Sequence, residues 1–196
     1  MAENSTGPSQ LVRHVYRENI KYFGEPDDSF VFDNESGSSP VPNGVPGRID
    51  VFVWHAAADL GMTTFSTIGM CDKSMTGADH RAELHFAVRE RLAPDEVQKC
   101  ARFLANLAVY PFLCETNLDW WHKIEDPGKI PLFSNAKCLL FYPRFVESGW
   151  DLIEVEDATV KLLNVIPISA DAYKLKSRDE LMDYVWNDLA DPFAPW

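Results

Sequence analysis

The 196-residue sequence lacks the features that define several classes of protein. It has no apolar run approaching the roughly 18 residues that a membrane span requires. Its polar N-terminus contains neither the basic region nor the apolar core of a signal peptide. Neither G-x-x-x-x-G-K-[ST] nor G-x-G-x-x-G occurs, so no nucleotide-binding fingerprint is present. These absences predict a cytoplasmic protein with no membrane association and no cofactor.

Cysteine is scarce and widely spaced. The four cysteines, Cys71, Cys100, Cys114 and Cys138, form no C-x-x-C pair. Zinc sites and redox dithiols usually show such close pairs, and a chain without a secretory signal seldom forms disulfides. The sequence therefore predicts four reduced thiols, most of them buried, and no metal site built on cysteine.

Positive charge is also sparse, with 18 Lys and Arg against 30 Asp and Glu and a net charge of -12. The basic residues are scattered and form no run. Phosphate binding draws on clustered Lys and Arg, so this pattern argues against nucleic acid as a partner. An acidic surface is typical of an ordinary soluble protein, or of one whose partner is basic.

The chain is rich enough in apolar residues, at 46%, to build a full core. Apolar residues at helical spacing predict a helix over 9–23 with Ser9 as N-cap, and another over 93–111 that ends at Pro111. A capping box of Ser177 and Glu180 predicts a third over 177–189.

Five segments have the composition of strands. They cover residues 49–56, 63–70, 81–90, 136–145 and 158–169. The third alternates, which predicts one buried face and one wetter face. Because strands and helices do not alternate regularly, the pattern predicts an α+β fold with a mostly antiparallel mixed sheet and helices packed against it. We expect a single domain over residues 1–196, in which a Pro- and Gly-rich loop at 34–48 joins the first helix to the sheet.

Two reactive sites can be considered from the residues alone. His80, Glu83 and His85 lie in a predicted strand, where the spacing of the two histidines directs their side chains to opposite faces, so metal binding by this trio fails on geometry. Cys71 follows a turn at Gly69 and Met70, but no nucleophile motif surrounds it. A small hydrolase that uses Cys71, or His80 and His85 with a metal, remains the alternative to a binding protein.

The segment 114–123, with the sequence CETNLDWWHK, places two tryptophans beside charged side chains. Exposed Trp next to Asp and His is a common anchor for a protein partner, and the competing interpretation is that both rings cover the edge of the core. The predicted partner-binding residues are Asn117, Asp119, Trp120, Trp121 and His122.

Four blocks taken in order resemble the Suppressor of fused (SUFU) family. They are DVFVWHA at 50–56, FSTIGMCDKSM at 65–75, RAELHFAVRE at 81–90, and the run from ARFLANLAVYPF through WWH to VKLLNVIPIS at 101–169. The second block is similar to the family's Thr-x-Gly-Met-Ser-Asp pattern. The residues that carry the resemblance are Thr67, Gly69, Met70, Asp72, Met75, Glu83 and Leu84. Gly69 is expected to supply a backbone conformation that other residues resist, and Met70 and Met75 to pack the turn onto the core.

The resemblance implies a non-enzymatic protein-binding domain. Eukaryotic relatives sequester a transcription factor, and short bacterial relatives are considered immunity proteins that neutralise a toxin. The sequence departs from the family in three ways: Cys71 replaces Ser, Thr116-Asn117 replaces Gly-Asp, and Ser169 and Asp171 stand where a Glu is usual. We therefore expect an immunity-like or regulatory protein that sequesters a protein or peptide partner through the loop around Trp121 and an exposed sheet edge.

Overall fold

One mixed sheet of eight strands organises the fold in the computed structural model, which describes residues 7–33, 44–56, 61–145, 149–189 and 191–196. The strands, numbered β1 to β8 in chain order, are Asp28–Asp33, Arg48–Trp54, Thr63–Ile68, Arg81–Val88, Lys123–Glu125, Cys138–Tyr142, Leu152–Val155 and Ala158–Ile168. Their order across the sheet is β1-β2-β3-β4-β8-β6-β5, and β7 also pairs with β8.

All the paired strands run antiparallel except β4 and β8, which run parallel. The long connection from β4 to β8 permits this pairing, because parallel neighbours require a crossover rather than a tight turn. The predicted α+β class, with a mostly antiparallel mixed sheet, is confirmed.

Helices cover both faces of the sheet. Within the described residues they are α1 (Gln10–Phe23), α2 (Pro94–Leu113), α3 (Ala170–Tyr173) and α4 (Arg178–Asp183), and a π-helical turn at Tyr184–Asp188 continues α4. Ser9 caps α1 as predicted, because its side chain accepts a hydrogen bond from the backbone N–H of Val12. The capping box of Ser177 and Glu180 is also present. None of these helices is long and apolar enough to cross a membrane.

The buried core consists of separate clusters on the two faces of the sheet. Inward side chains of β2 and β4, including Val51 and Leu84, pack with α2 in the largest cluster. On the opposite face α1 covers Phe52 and Trp54 of β2 together with the start of β8. Farther along that face α3, α4 and the π-helical turn cover β6 and the end of β8, whose Ile168 is fully buried.

The prediction of one wetter face for the strand at 81–90 is wrong. Glu83 and His85 are buried on the face of β4 opposite α2. The reason is tertiary: rings from α1 and from the segment before β7, Phe23 and Trp150, stand beside the His85 ring. The alternation of polar and apolar residues in a strand shows which side chains share a face. It does not show whether another element of the fold covers the polar face.

Pro111 does not end the second helix, since α2 continues to Leu113. A proline this near a C-terminus removes few intrahelical hydrogen bonds, and the backbone N–H of Cys114 still bonds to the Tyr110 carbonyl. Strands β1, β5 and β7 were not predicted, because exposed positions interrupt the apolar pattern in each of them. Of the predicted loop at 34–48, residues 34–43 lie outside the described residues, and β2 already begins at Arg48.

Asn19 fastens α1 to the sheet. Its side chain is fully buried, donates to the Val15 carbonyl at 3.0 Å and accepts from the Ser66 hydroxyl of β3 at 2.9 Å. Buried polar groups are stable only when they are paired. This pair therefore fixes how α1 sits on its half of the sheet.

We predict that Asn19→Ala lowers the free energy of unfolding by about 2 kcal/mol, because the buried Ser66 hydroxyl loses its better acceptor. The double variant with Ser66→Ala should cost about 1 kcal/mol less than the sum of the two single variants. Urea unfolding of the four proteins measures this coupling, and strictly additive costs would contradict the proposed pairing.

Candidate functional site

A buried carboxylate lies at the centre of the segment that carries the family resemblance. Glu83 is fully buried, and three groups from the end of β3 and the turn that follows it donate to it. The Thr67 hydroxyl donates at 2.6 Å, the Gly69 N–H at 2.8 Å and the Cys71 N–H at 3.1 Å. Thr67 also accepts from the Leu84 N–H at 2.8 Å. We call Thr67, Gly69, Cys71 and Glu83 the carboxylate cage.

The cage requires glycine at position 69. Gly69 has φ +115°, which side-chain-bearing residues rarely adopt, and a Cβ there would lie 2.6 Å from the Arg48 carbonyl oxygen. The 3₁₀ turn Met70–Asp72 follows at once and buries Met70 and Cys71. Met70 enters the cluster beside α2 and Cys71 the cluster beside α1, so this turn contributes to the core on both faces of the sheet.

Burial dominates the acid–base properties of the cage. It raises the pKa of Glu83 to about 7, against the hydrogen bonds from Thr67, Cys71 and Gly69, which lower it. The pKa of the Cys71 thiol is raised by the same burial and further by the neighbouring Glu83 charge. A nucleophilic cysteine needs the opposite shift. The environment of Cys71 is therefore that of a buried structural thiol.

The histidines do not combine into a reactive site. His80 bonds through Nε2 to the Leu118 carbonyl at 3.0 Å. His85 is packed against Phe23 and Trp150, and burial lowers its pKa to about 4, so the ring is neutral near pH 7. No group of three or more His, Cys, Asp or Glu in the described part of the chain could hold a metal ion. The alternative of a cysteine- or metal-dependent hydrolase is not supported.

Residues between Cys71 and Glu83 hold the predicted partner-binding segment, residues 117–122, which we call the Trp loop. The sulfur of Met75 accepts from the Leu118 N–H at 3.4 Å, and the Asn117 side chain donates to the Thr76 carbonyl at 3.1 Å. His80 bonds to the same Leu118. The segment between the cage residues Cys71 and Glu83 thus contacts the Trp loop directly.

The Trp loop is also tied to β8. Asp119 forms an ion pair with Lys161 at 2.6 Å, and Lys161 stands 4.7 Å from the centre of the Trp120 ring. The Trp120 indole donates to the Leu162 carbonyl at 3.2 Å and packs beside the core of α2. Asp119 and Trp120 therefore serve at least to position the loop.

Trp121 lies on the other face of the sheet, in a left-handed backbone conformation with φ 72°. Its ring contacts Tyr142 edge-on at 4.9 Å, and the Arg178 guanidinium stands over it at 4.8 Å. The neighbouring His122 is exposed and leads into the edge strand β5. The two tryptophans thus point to opposite faces, and each is partly buried.

An aromatic groove of about 340 Å³ opens beside Trp121. Its lining residues are Trp121, Tyr142, Pro143, Arg144, Phe145, Arg178, Met182 and Trp186. Trp186 is 55% exposed, and its indole donates to the Tyr142 hydroxyl at 2.9 Å. Sequence reasoning missed Arg178 and Trp186. The available signal was a tryptophan, Trp186, within the helix predicted over 177–189.

Comparison with known proteins assigns the chain to a family and its fold to a known class. The sequence matches the family model for Suppressor of fused protein (SUFU) over residues 46–193. The chain therefore belongs to the SUFU family, and membership supports a regulatory, protein-binding role. No curated protein sequence matches the chain.

Three solved structures share the fold. A SUFU homologue from Neisseria gonorrhoeae FA 1090 matches with a TM-score of 0.65 and 13% identity, covering 92% of this chain and 91% of that one. The Sufu–Fu complex matches with a TM-score of 0.58 and 12% identity, covering 94% and 88%. Drosophila Suppressor of Fused matches with a TM-score of 0.56 and 11% identity over 90% of this chain, which spans 46% of that longer protein.

We predict that the cage makes stability depend on pH. Because folded Glu83 has a pKa of about 7, above its usual 4.5, the folded state binds more protons than the unfolded state between these values. The contribution of Glu83 to the free energy of unfolding should fall by about 3 kcal/mol as pH rises through this window. In Glu83→Gln that contribution should be absent. Chemical unfolding of both proteins from pH 4 to 8 measures it, and parallel curves would contradict the prediction.

We predict that Gly69→Ala lowers the free energy of unfolding by about 3 kcal/mol, since strained backbone and a carbonyl clash act together. Gly128→Ala is the matched control, because Gly128 also has positive φ, at +81°, but its Cβ would meet open space. It should cost about 1 kcal/mol. Thermal unfolding compares the two variants, and equal losses would show that the close approach to Arg48 is unimportant.

Proposed function

We propose that this chain is a non-enzymatic cytoplasmic domain that binds and sequesters a protein partner, in the manner of an immunity protein that neutralises a toxin. Family membership supports the protein-binding part of this proposal. One structure of the same fold was solved as a Sufu–Fu complex, which shows that a protein of this fold engages another protein. The immunity role follows from the resemblance to short bacterial members.

The aromatic groove carries the proposal. It combines a half-exposed Trp186 with Trp121, Tyr142 and Phe145 around two arginine side chains. Trp, Tyr and Arg are the residue types that dominate binding energy at protein interfaces. When a partner covers a half-exposed tryptophan, burial of the large apolar ring contributes strongly to the free energy of binding.

The Trp loop beside the groove is held in place before any partner arrives. Its contacts to Met75, Thr76, His80 and Lys161 fix the backbone that presents Trp121 and His122. A rigid surface loses less conformational entropy on binding than a mobile one. We therefore assign the contact surface to the Trp loop, the adjacent edge strand β5 and the aromatic groove.

Charge supports the choice of a toxin as partner. The net charge of -12 attracts a basic protein over long range and accelerates the encounter. A nuclease toxin, which must hold phosphates, has such a basic surface. Occlusion of that surface needs no chemistry from this chain.

We predict that this chain restores growth to cells that produce the toxin domain encoded by a neighbouring gene, and that Trp186→Ala weakens both the rescue and the purified complex by about a hundredfold. Isothermal titration calorimetry gives the affinity. Trp186→Phe should retain most of it, because the ring remains and only the hydrogen bond to Tyr142 is lost.

Leu113→Ala is the matched control, because Leu113 is 57% exposed at the end of α2 and outside the groove. It should bind like the unchanged protein. If the folded chain neither binds the toxin domain nor restores growth, the immunity proposal fails. If it binds, and Trp186→Ala binds equally well, the groove is the wrong surface.

A further inference from the structure

A second concave surface gathers arginines that are scattered in the sequence. This arginine cleft, of about 680 Å³, lies between α1, the first residue of β4 and the turn that joins β7 to β8. Arg13 and Arg17 reach it from α1, and Arg81 from β4. The side chains of Glu156 and Asp157 form the wall at the turn.

None of the three arginines forms a direct ion pair within the described structure. The ion pairs there use other cations, among them Arg48 with Asp50 and Lys161 with Asp119. Arg81 donates to the Cys71 carbonyl at 3.2 Å, which is a neutral partner. Arg13 and Arg17 are four residues apart on α1, so their like charges repel each other along the helix.

A cluster of like charges, none of them in a direct ion pair within the described structure, is a feature of binding surfaces. It contrasts with the chain as a whole, whose net charge is -12. Guanidinium groups recognise carboxylates through paired, charge-assisted hydrogen bonds. We propose that the arginine cleft binds an acidic segment of a protein, in which neighbouring Asp or Glu side chains pair with Arg13, Arg17 and Arg81.

The shape and setting of the cleft favour this occupant over a nucleic acid. A nucleic acid would extend beyond the cleft onto a surface with excess negative charge, and phosphate recognition needs a longer basic stripe. A short acidic peptide touches only the cleft. The carboxylates of Glu156 and Asp157 confine the attraction to the opposite wall, so they set the position of the peptide while they weaken its binding.

The arginine cleft is independent of the function proposed above. It shares no lining residue with the aromatic groove. The proposed occupant of the cleft is acidic, whereas the net negative charge of the whole chain favours a basic partner on its other surfaces. Either site can therefore be tested while the other is intact.

The probe is a fluorescein-labelled hexaglutamate peptide, whose binding to the full chain is followed by fluorescence anisotropy. Arg13→Gln with Arg17→Gln should weaken binding about tenfold or more, because two guanidinium partners are lost. Both side chains are exposed, so the variant should fold normally. The matched control, Arg91→Gln with Arg102→Gln, removes the same charge from exposed positions outside the cleft and should change affinity less than about twofold.

A variant that removes negative charge from the cleft, and should therefore tighten binding, strengthens the test. Glu156→Gln with Asp157→Asn removes the repelling wall and should tighten binding several-fold. Equal losses in the Arg13/Arg17 variant and its control would show a general charge effect and overturn the proposal. It would also be overturned if the unchanged protein does not bind the peptide, if inorganic phosphate at equal concentration displaces it fully, or if a labelled DNA hexamer binds more tightly.

Discussion

The caged carboxylate of Glu83 is the contact on which the structure around the Trp loop depends. Glu83 lies on β4 at the centre of the sheet, and its hydrogen bonds fix the turn that follows β3. A carboxylate buried without partners would cost several kcal/mol, so the turn has to present its hydroxyl and N–H groups in one arrangement. The left-handed conformation at Gly69 makes that arrangement possible. In this way a single buried acid determines the path of the chain over several residues.

That path reaches the surface through Met75 and His80. Both contact Leu118, and the Trp loop is held there without regular secondary structure of its own. Disturbance of the cage should therefore be felt at Trp121 as well as in the core. Most of the residues that carry the resemblance are buried, among them Thr67, Gly69, Met70 and Glu83.

The sequence was sufficient to predict what depends on local patterns. The caps at Ser9 and Ser177, the strands that include Val51 and Leu84, and the α+β class follow from periodicity and capping chemistry. The burial of His85 could not be predicted, because Phe23 and Trp150 cover it from distant parts of the chain. The aromatic groove was missed for the same reason: Trp186 joins Trp121 only through the packing of α4 on β6.

The sequence likewise does not show which charged side chains come together in the fold. Composition shows an acidic protein, but the placement of α1 on the sheet brings Arg13 and Arg17 to the same cleft as Arg81. Asn19 helps to fix that placement from the buried side of the same helix. A helix that is anchored by one face and charged on the other transmits its orientation to the surface. The contact between Asn19 and Ser66 therefore bears on where the arginines stand as well as on stability.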